Sequence, residues 1–189
     1  SEFNFKKGKI YLLEGKNGCG KTTFLKKIAF DKFAKTKISH SFNKDNGLFD
    51  EYDGIYLHNI SGNYNFLTKA ILKKIQELDK EKIYIKNLEL EKFIENKTGK
   101  VSSGEFHRIM ISFCLLQKID FLFLDESLSS IDEKNVKKII ELIKKYNKNL
   151  VAIIVNHHLP NKNELEILEV DWSRVTNLVD YAKKHDSFI

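Results

Sequence analysis

Apolar positions along the chain fall into short continuous runs separated by stretches of helical period. Ile10 to Leu13 is one such run, closed by Gly15, and Lys21 to Phe33 follows with Phe24, Leu25, Ile28 and Ala29 at three-to-four spacing. This predicts a strand, a glycine loop and a helix. Ile38 to Phe42 and Gly54 to Leu57 predict two more strands, separated by the turn formers Asn46, Gly47, Asp50 and Asp53. From Asn65 to Asn96 the pattern is helical, with Leu67, Ala70, Ile71, Ile75 and Leu78 on one face and a second piece near Leu88 to Ile94. Gly104 to Leu116 predicts another helix and Phe121 to Leu124 a short buried strand. Asp132 opens a helix with Val136, Ile139, Ile140 and Ile143 on one face, and Leu150 to Val155 is again a continuous apolar strand. Leu165 to Val170 and Arg174 to Val179 predict late strands or a final helix. Strands alternating with helices imply an α/β fold, its mostly parallel sheet flanked by helices on both faces.

Length makes this a single domain: 189 residues bury an adequate core without disulfides or metals. The helical stretch, about 61–118, is expected as a small subdomain inserted into a core of about 1–60 and 119–189. Apolar residues are 42% and charged residues 31%, near globular averages. The longest apolar runs fall far short of the roughly 20 residues that span a bilayer. There is no leader pattern and the chain opens at Ser1 rather than Met, so an excised domain with a truncated N-terminus is expected. Cys19 and Cys114 are the only cysteines, which fits a reducing compartment, with Cys114 as a buried thiol. The net charge of +6 comes mostly from dispersed lysines such as Lys73, Lys137 and Lys144. Arginine occurs only at Arg108 and Arg174, so nucleic acid is not expected as a partner.

Chemistry enters with Gly15-Lys16-Asn17-Gly18-Cys19-Gly20-Lys21-Thr22, which fits G-x-x-x-x-G-K-[ST] between a predicted strand and a predicted helix. Glycines let successive backbone N–H groups fold into an anion cradle at a helix N-terminus. Lys21 would reach the β- and γ-phosphates of a nucleotide and the Thr22 hydroxyl would ligate Mg²⁺. Cys19 needs no redox role here; a small side chain suits the loop. Phe121 to Glu126 then reads as an apolar strand ending in two carboxylates, at the edge where open α/β sheets bind ligands. Asp125 suits Mg²⁺, and Glu126 suits activation of a water for in-line attack on the γ-phosphorus.

Further segments carry a family resemblance. Ser102-Ser103-Gly104-Glu105 with Arg108 resembles the signature motif of ABC ATPases, usually written LSGGQ, and Ser127 to Asp132 resembles their D-loop. His157 resembles their switch histidine, and Asn59 stands at the place of their Q-loop glutamine. These elements occur in the family's order from about Phe3 to His158. Val101, Ser103, Glu105 and Asn59 depart from its usual residues. The resemblance implies a P-loop NTPase fold with an inserted helical subdomain and a partial antiparallel β edge. It also implies ATP held in part by Thr23 and Asn59 beside the P-loop, and a head-to-tail homodimer or paired ABC domain. In that pair Ser102 and Gly104 touch the partner's γ-phosphate, Asp132 couples the two sites, His157 stabilises the γ-phosphate and attacking water, and Asn59 senses Mg²⁺. The implied function is ATP hydrolysis driving transport through separate transmembrane domains from the cytoplasmic face of a membrane. Alternatives within the family are a DNA-repair or ribosome-associated ATPase, or an ATP-dependent clamp with little hydrolysis. Asn59 to Val101 is too short for the coiled coil of the repair ATPases. A phosphate-transferring kinase would need an acceptor pocket in place of the signature-like and D-loop-like segments.

Overall fold

The structure, a computed structural model, describes residues 6–14, 21, 22, 25, 38–40, 54–58, 65–96, 100–117, 119–157, 159 and 168–171. Six strands form one sheet: β1 (Ile10–Glu14), β2 (Ile38–His40), β3 (Gly54–His58), β4 (Phe121–Asp125), β5 (Val151–Val155) and β6 (Leu168–Asp171). Their order is β2-β3-β4-β5-β1-β6, and every ladder is parallel. The antiparallel edge implied by the resemblance is not found among the described residues. Such a sheet must be buried on both faces, and the strands read accordingly. Ile10, Leu12, Leu122, Leu124, Ala152 and Ile154 join one apolar cluster, while their alternates Tyr11, Leu13, Phe123 and Ile153 are buried as well.

Helices α1 (Asn65–Leu78), α2 (Ile83–Asn87), α3 (Glu91–Ile94), α4 (Ser103–Leu116) and α5 (Glu133–Tyr146) complete the described elements. The cluster on the sheet continues without a break into Ile71 and Ile75 of α1, Phe106, Met110 and Phe113 of α4, and Val136, Ile139 and Ile143 of α5. In α4 every residue from Phe106 to Leu115 is buried, as expected of a helix packed on several sides. Cys114 lies within it as a free, buried thiol, whose pKa burial pushes up to about 12.

One expectation is corrected. The second helical piece, near Leu88 to Ile94, is helical only in α3; α2 ends at Asn87, and the chain turns between the two helices, where Glu89 takes φ 55°. Leu88 and Leu90, on either side of Glu89, are both fully buried. Asp79 stabilises the entry to α2: its two carboxylate oxygens accept from the Ile83 and Ile85 N–H groups at 2.9 and 2.8 Å. The helix predicted from Lys21 is described at Lys21, Thr22 and Leu25, which are helical. The turns predicted at 41–53, the segment 174–179, Phe3 and His158 lie outside the described residues.

Candidate active site

All strands of a parallel sheet end at one edge, so the residues that follow them gather there. Register places His58 beside Asp125 and Asp125 beside Val155, and aligns Leu12 with Ile154. Lys21 and Thr22 arrive at this edge in the helix that follows β1. The Thr22 hydroxyl donates to Asp125 Oδ1 at 3.2 Å, and Lys21, only 7% exposed, lies in the same helical turn. Buried lysines persist where anionic groups meet them, so depth and neighbours both suit phosphate.

Glu126 leaves the line of β4 abruptly. Its φ is 58°, in the left-handed region that costs a residue with a Cβ about 1 kcal/mol or more. Hydrogen bonds hold it there: its N–H donates to the Val155 carbonyl at 2.7 Å, and its own carbonyl accepts from the Ser129 hydroxyl at 2.7 Å. The carboxylate thereby meets His157, whose Nε2 lies 3.2 Å from Oε1. Oε1 is nonetheless buried without a hydrogen-bond partner among the described residues. His157 itself is half-exposed. A buried carboxylate oxygen with an unmet acceptor site, beside an accessible imidazole, is arranged to bind a water or a donor that arrives with substrate.

Ser102 and Gly104 belong to a second group of contacts. Ser102 is the N-cap of α4: its hydroxyl accepts from Glu105 N–H at 3.2 Å, while Glu105 Oε1 accepts from Ser102 N–H at 2.9 Å. Accepting leaves the hydroxyl's hydrogen to donate elsewhere. Lys92 lies 3.7 Å from the other Glu105 oxygen. At Ser103 the backbone is ordinary helix, since φ is positive at Lys82, Glu89 and Glu126 alone among the described non-glycine residues. Gly104 is required by crowding, because a Cβ there would overlap the Ser130 carbonyl oxygen.

Asp132 caps α5. Its Oδ1 accepts from Asn135 N–H at 2.9 Å and its Oδ2 from the Asn135 side chain at 2.8 Å, with Arg108 Nη1 at 3.9 Å. Partial burial disfavours its charge, but the Asn135 hydrogen bonds and Arg108 outweigh this and hold the carboxyl below its usual range.

The structure therefore brings Thr22 to Asp125 and His157 to Glu126, and sets Ser102, Gly104 and Asp132 around the turn after β4. Gly15, Asn17, Gly18, Cys19, Gly20, Thr23 and Asn59 lie outside the described residues. Sequence reasoning singled out Ser127 to Asp132 by resemblance but missed the hydrogen bonds that the serines of that turn make. Fully buried Ser127 donates to the Leu57 carbonyl at 2.6 Å, fastening the turn to β3, and Ser129 fastens Glu126. Their signal was available: a Ser-rich run directly after an apolar strand offers hydroxyls that bond nearby backbone. His107 too is buried and bonded within this group.

Comparison with known proteins agrees with the geometry. The family model described as ABC transporter matches residues 1–129. The lipoprotein-releasing system ATP-binding protein LolD of Buchnera aphidicola subsp. Schizaphis graminum is 31% identical over 187 aligned positions, covering 82% of this chain and 76% of that protein. YybJ of Bacillus subtilis, an uncharacterized ABC transporter ATP-binding protein, is 30% identical over 166 positions, with the same two coverages of 82% and 76%. Among solved structures, an ATP-binding subunit of an ABC transporter superposes with a TM-score of 0.61 at 18% identity, covering 86% of this chain and 74% of that one. RNase-L Inhibitor superposes at 0.56 with 22% identity; 81% of this chain is covered, yet it spans only 30% of that protein. These two likenesses concern the fold alone. With a family match over most of its length and a site built at the edge where that fold binds nucleotide, the chain belongs to the ABC transporter family, as an ATP-binding domain.

Proposed function

We propose that this domain binds Mg-ATP and hydrolyses it as one half of a head-to-tail pair, working on transmembrane transporter domains from the cytoplasmic face of a membrane. The observation that carries this reading is the double pairing at the sheet edge, Thr22 with Asp125 and Glu126 with His157. The site suits its ligands: a hydroxyl and a carboxylate oxygen 3.2 Å apart are hard donors of the kind Mg²⁺ prefers, and the unmet Glu126 oxygen suits a water. When bound, Mg²⁺ would be held by Thr22 and Asp125, with Asn59 nearby, and would neutralise charge on the β- and γ-phosphates.

The chain's own residues do the rest. Lys21 and the glycine loop, from Gly15 to Gly20 with Asn17, Cys19 and Thr23, hold the phosphates. Glu126 takes a proton from the attacking water as its oxygen bonds the γ-phosphorus and the bond to ADP breaks, giving ADP and phosphate. His157, within reach of Glu126, orients that water and the γ-phosphate. Ser102 and Gly104 serve the partner's nucleotide, so pairing requires the γ-phosphate and lapses after hydrolysis. Asp132 couples the two sites. Asn59 would link the site to the membrane subunits. The ATP-binding relatives named above support transport over repair or ribosome work.

Phosphate release and gel-filtration mass with Mg-ATP, for wild type and Glu126→Gln, test this. Slow hydrolysis by wild type and an ATP-dependent dimer of Glu126→Gln are expected. A Glu126→Gln monomer at saturating Mg-ATP, with wild-type hydrolysis retained, would exclude pairing and the base assignment together.

A further inference from the structure

His107 stands where the signature-like loop meets the turn after β4. The side chain is fully buried, and its Nδ1 lies 2.7 Å from the Ser103 carbonyl oxygen and 3.3 Å from Ser130 Oγ. A carbonyl only accepts, so Nδ1 must carry a hydrogen and donate; the Ser130 oxygen takes the weaker arm of the same hydrogen. Phe106 meets the ring edge-on, with centroids 5.7 Å apart and planes at 83°, which fixes its tilt. Two other contacts join the same segments: Gly104 against the Ser130 carbonyl, and Arg108 beside Asp132. From Ser130 the chain leads back through Ser129, whose hydroxyl holds the Glu126 carbonyl. One imidazole N–H thus lies between Ser103, flanked by Ser102 and Gly104, and the turn that sets Glu126.

The geometry points to His107 as a positioning residue: its Nδ1–H, shared by the Ser103 carbonyl and the Ser130 hydroxyl, fixes the signature loop against the turn following Glu126. This rests on the paired mechanism proposed above, in which Ser102 and Gly104 act on the partner's nucleotide while Glu126 acts on the chain's own. Placement of the two is then set together, because moving either segment alone breaks the shared hydrogen bond or drives Gly104 into Ser130. A ring that only filled space would be replaced by leucine with little effect on either segment. A shared donor is restored by glutamine, whose amide also donates, and not by leucine.

The test uses the full chain carrying Glu126→Gln, alone and combined with His107→Leu, His107→Gln or Ser130→Ala. Amide hydrogen exchange without nucleotide reads the link directly in the monomer. In His107→Leu, exchange at 102–105 and at 129–131 is expected to rise together by about tenfold, with the middle of α5 unchanged. The Mg-ATP concentration for half-maximal pairing rises by a similar factor, while binding of a fluorescent ATP analogue to the monomer stays within about twofold of the parent. His107→Gln recovers both readouts. Should His107→Leu fail to fold, Ser130→Ala, at an exposed position, carries the test: exchange is expected to rise at 129–131 and the pairing midpoint to shift in the same direction. Equal behaviour of the leucine and glutamine variants, or unchanged exchange in both segments, overturns the proposal. If the Glu126→Gln parent binds the analogue yet does not pair, the paired mechanism fails, and the exchange data alone decide whether His107 links the two segments.

Discussion

The Thr22 hydroxyl and the Asp125 carboxylate are hydrogen-bonded at 3.2 Å, joining the helix after the glycine loop to the end of β4. In the proposed mechanism these two oxygens serve one metal, so their loss should not be independent. Thr22→Val and Asp125→Asn are each expected to slow hydrolysis at saturating ATP by about 100-fold, with the double variant far short of the product of the two. Phosphate release across a Mg²⁺ titration measures this, and nucleotide binding in chelator separates metal loss from phosphate-loop damage. Fully multiplicative effects would assign the two side chains to different tasks.

Glu126 combines a left-handed backbone with a buried, unmatched carboxylate oxygen, two costs at a single position. Glycine normally destabilises relative to alanine, but here its tolerance of φ 58° reverses the order. Glu126→Gly is therefore expected to be more stable than Glu126→Ala by about 1 kcal/mol in urea unfolding, with hydrolysis lost in both. Alanine as the more stable of the two would mean that the backbone relaxes once the glutamate is gone.

Asp132 caps α5 with a carboxyl held below its usual value. A lowered folded value means that the charged form stabilises the fold. That contribution is complete above the unfolded value, near pH 4, and is lost as pH falls through the lower folded one. Asp132→Ala should cost about 1 kcal/mol at pH 7, whereas Asp132→Asn, which keeps a cap and loses only the charge contribution, should cost less there and flatten the loss of stability below about pH 4. Thermal unfolding at pH 7 and across the acid range distinguishes the two effects; equal losses for Ala and Asn at pH 7 would point to charge rather than capping.

Much of this arrangement was legible in the chain. Continuous apolar runs gave β1, β4 and β5 because strands buried on both faces show no alternation, and α5 announced itself through Asp132 and an apolar stripe at helical spacing. The acids ending β4 were readable because a parallel sheet sends every strand end to one edge. The break at Glu89 was not, since Leu88 and Leu90 look like helix until their burial on both sides of a turn is known. Nor was the role of His107, which comes from the Ser103 carbonyl, and although the serine run after β4 hinted at hydroxyls bonding nearby backbone, it did not say that Leu57 and Glu126 supply the acceptors. Gly104 needed the packing of Ser130 to explain it.

The strand order carries a consequence for synthesis. β1 lies between β5 and β6, so the strand that precedes the glycine loop has no neighbour in the sheet until the second half of the chain has been made. Pairing across so long a separation is slow and leaves an apolar strand waiting, the state in which newborn chains aggregate. The edge that carries Lys21 and Thr22 is therefore complete only after Val151 to Val155 has been made, and a ligand that binds only the completed sheet would stabilise it by mass action.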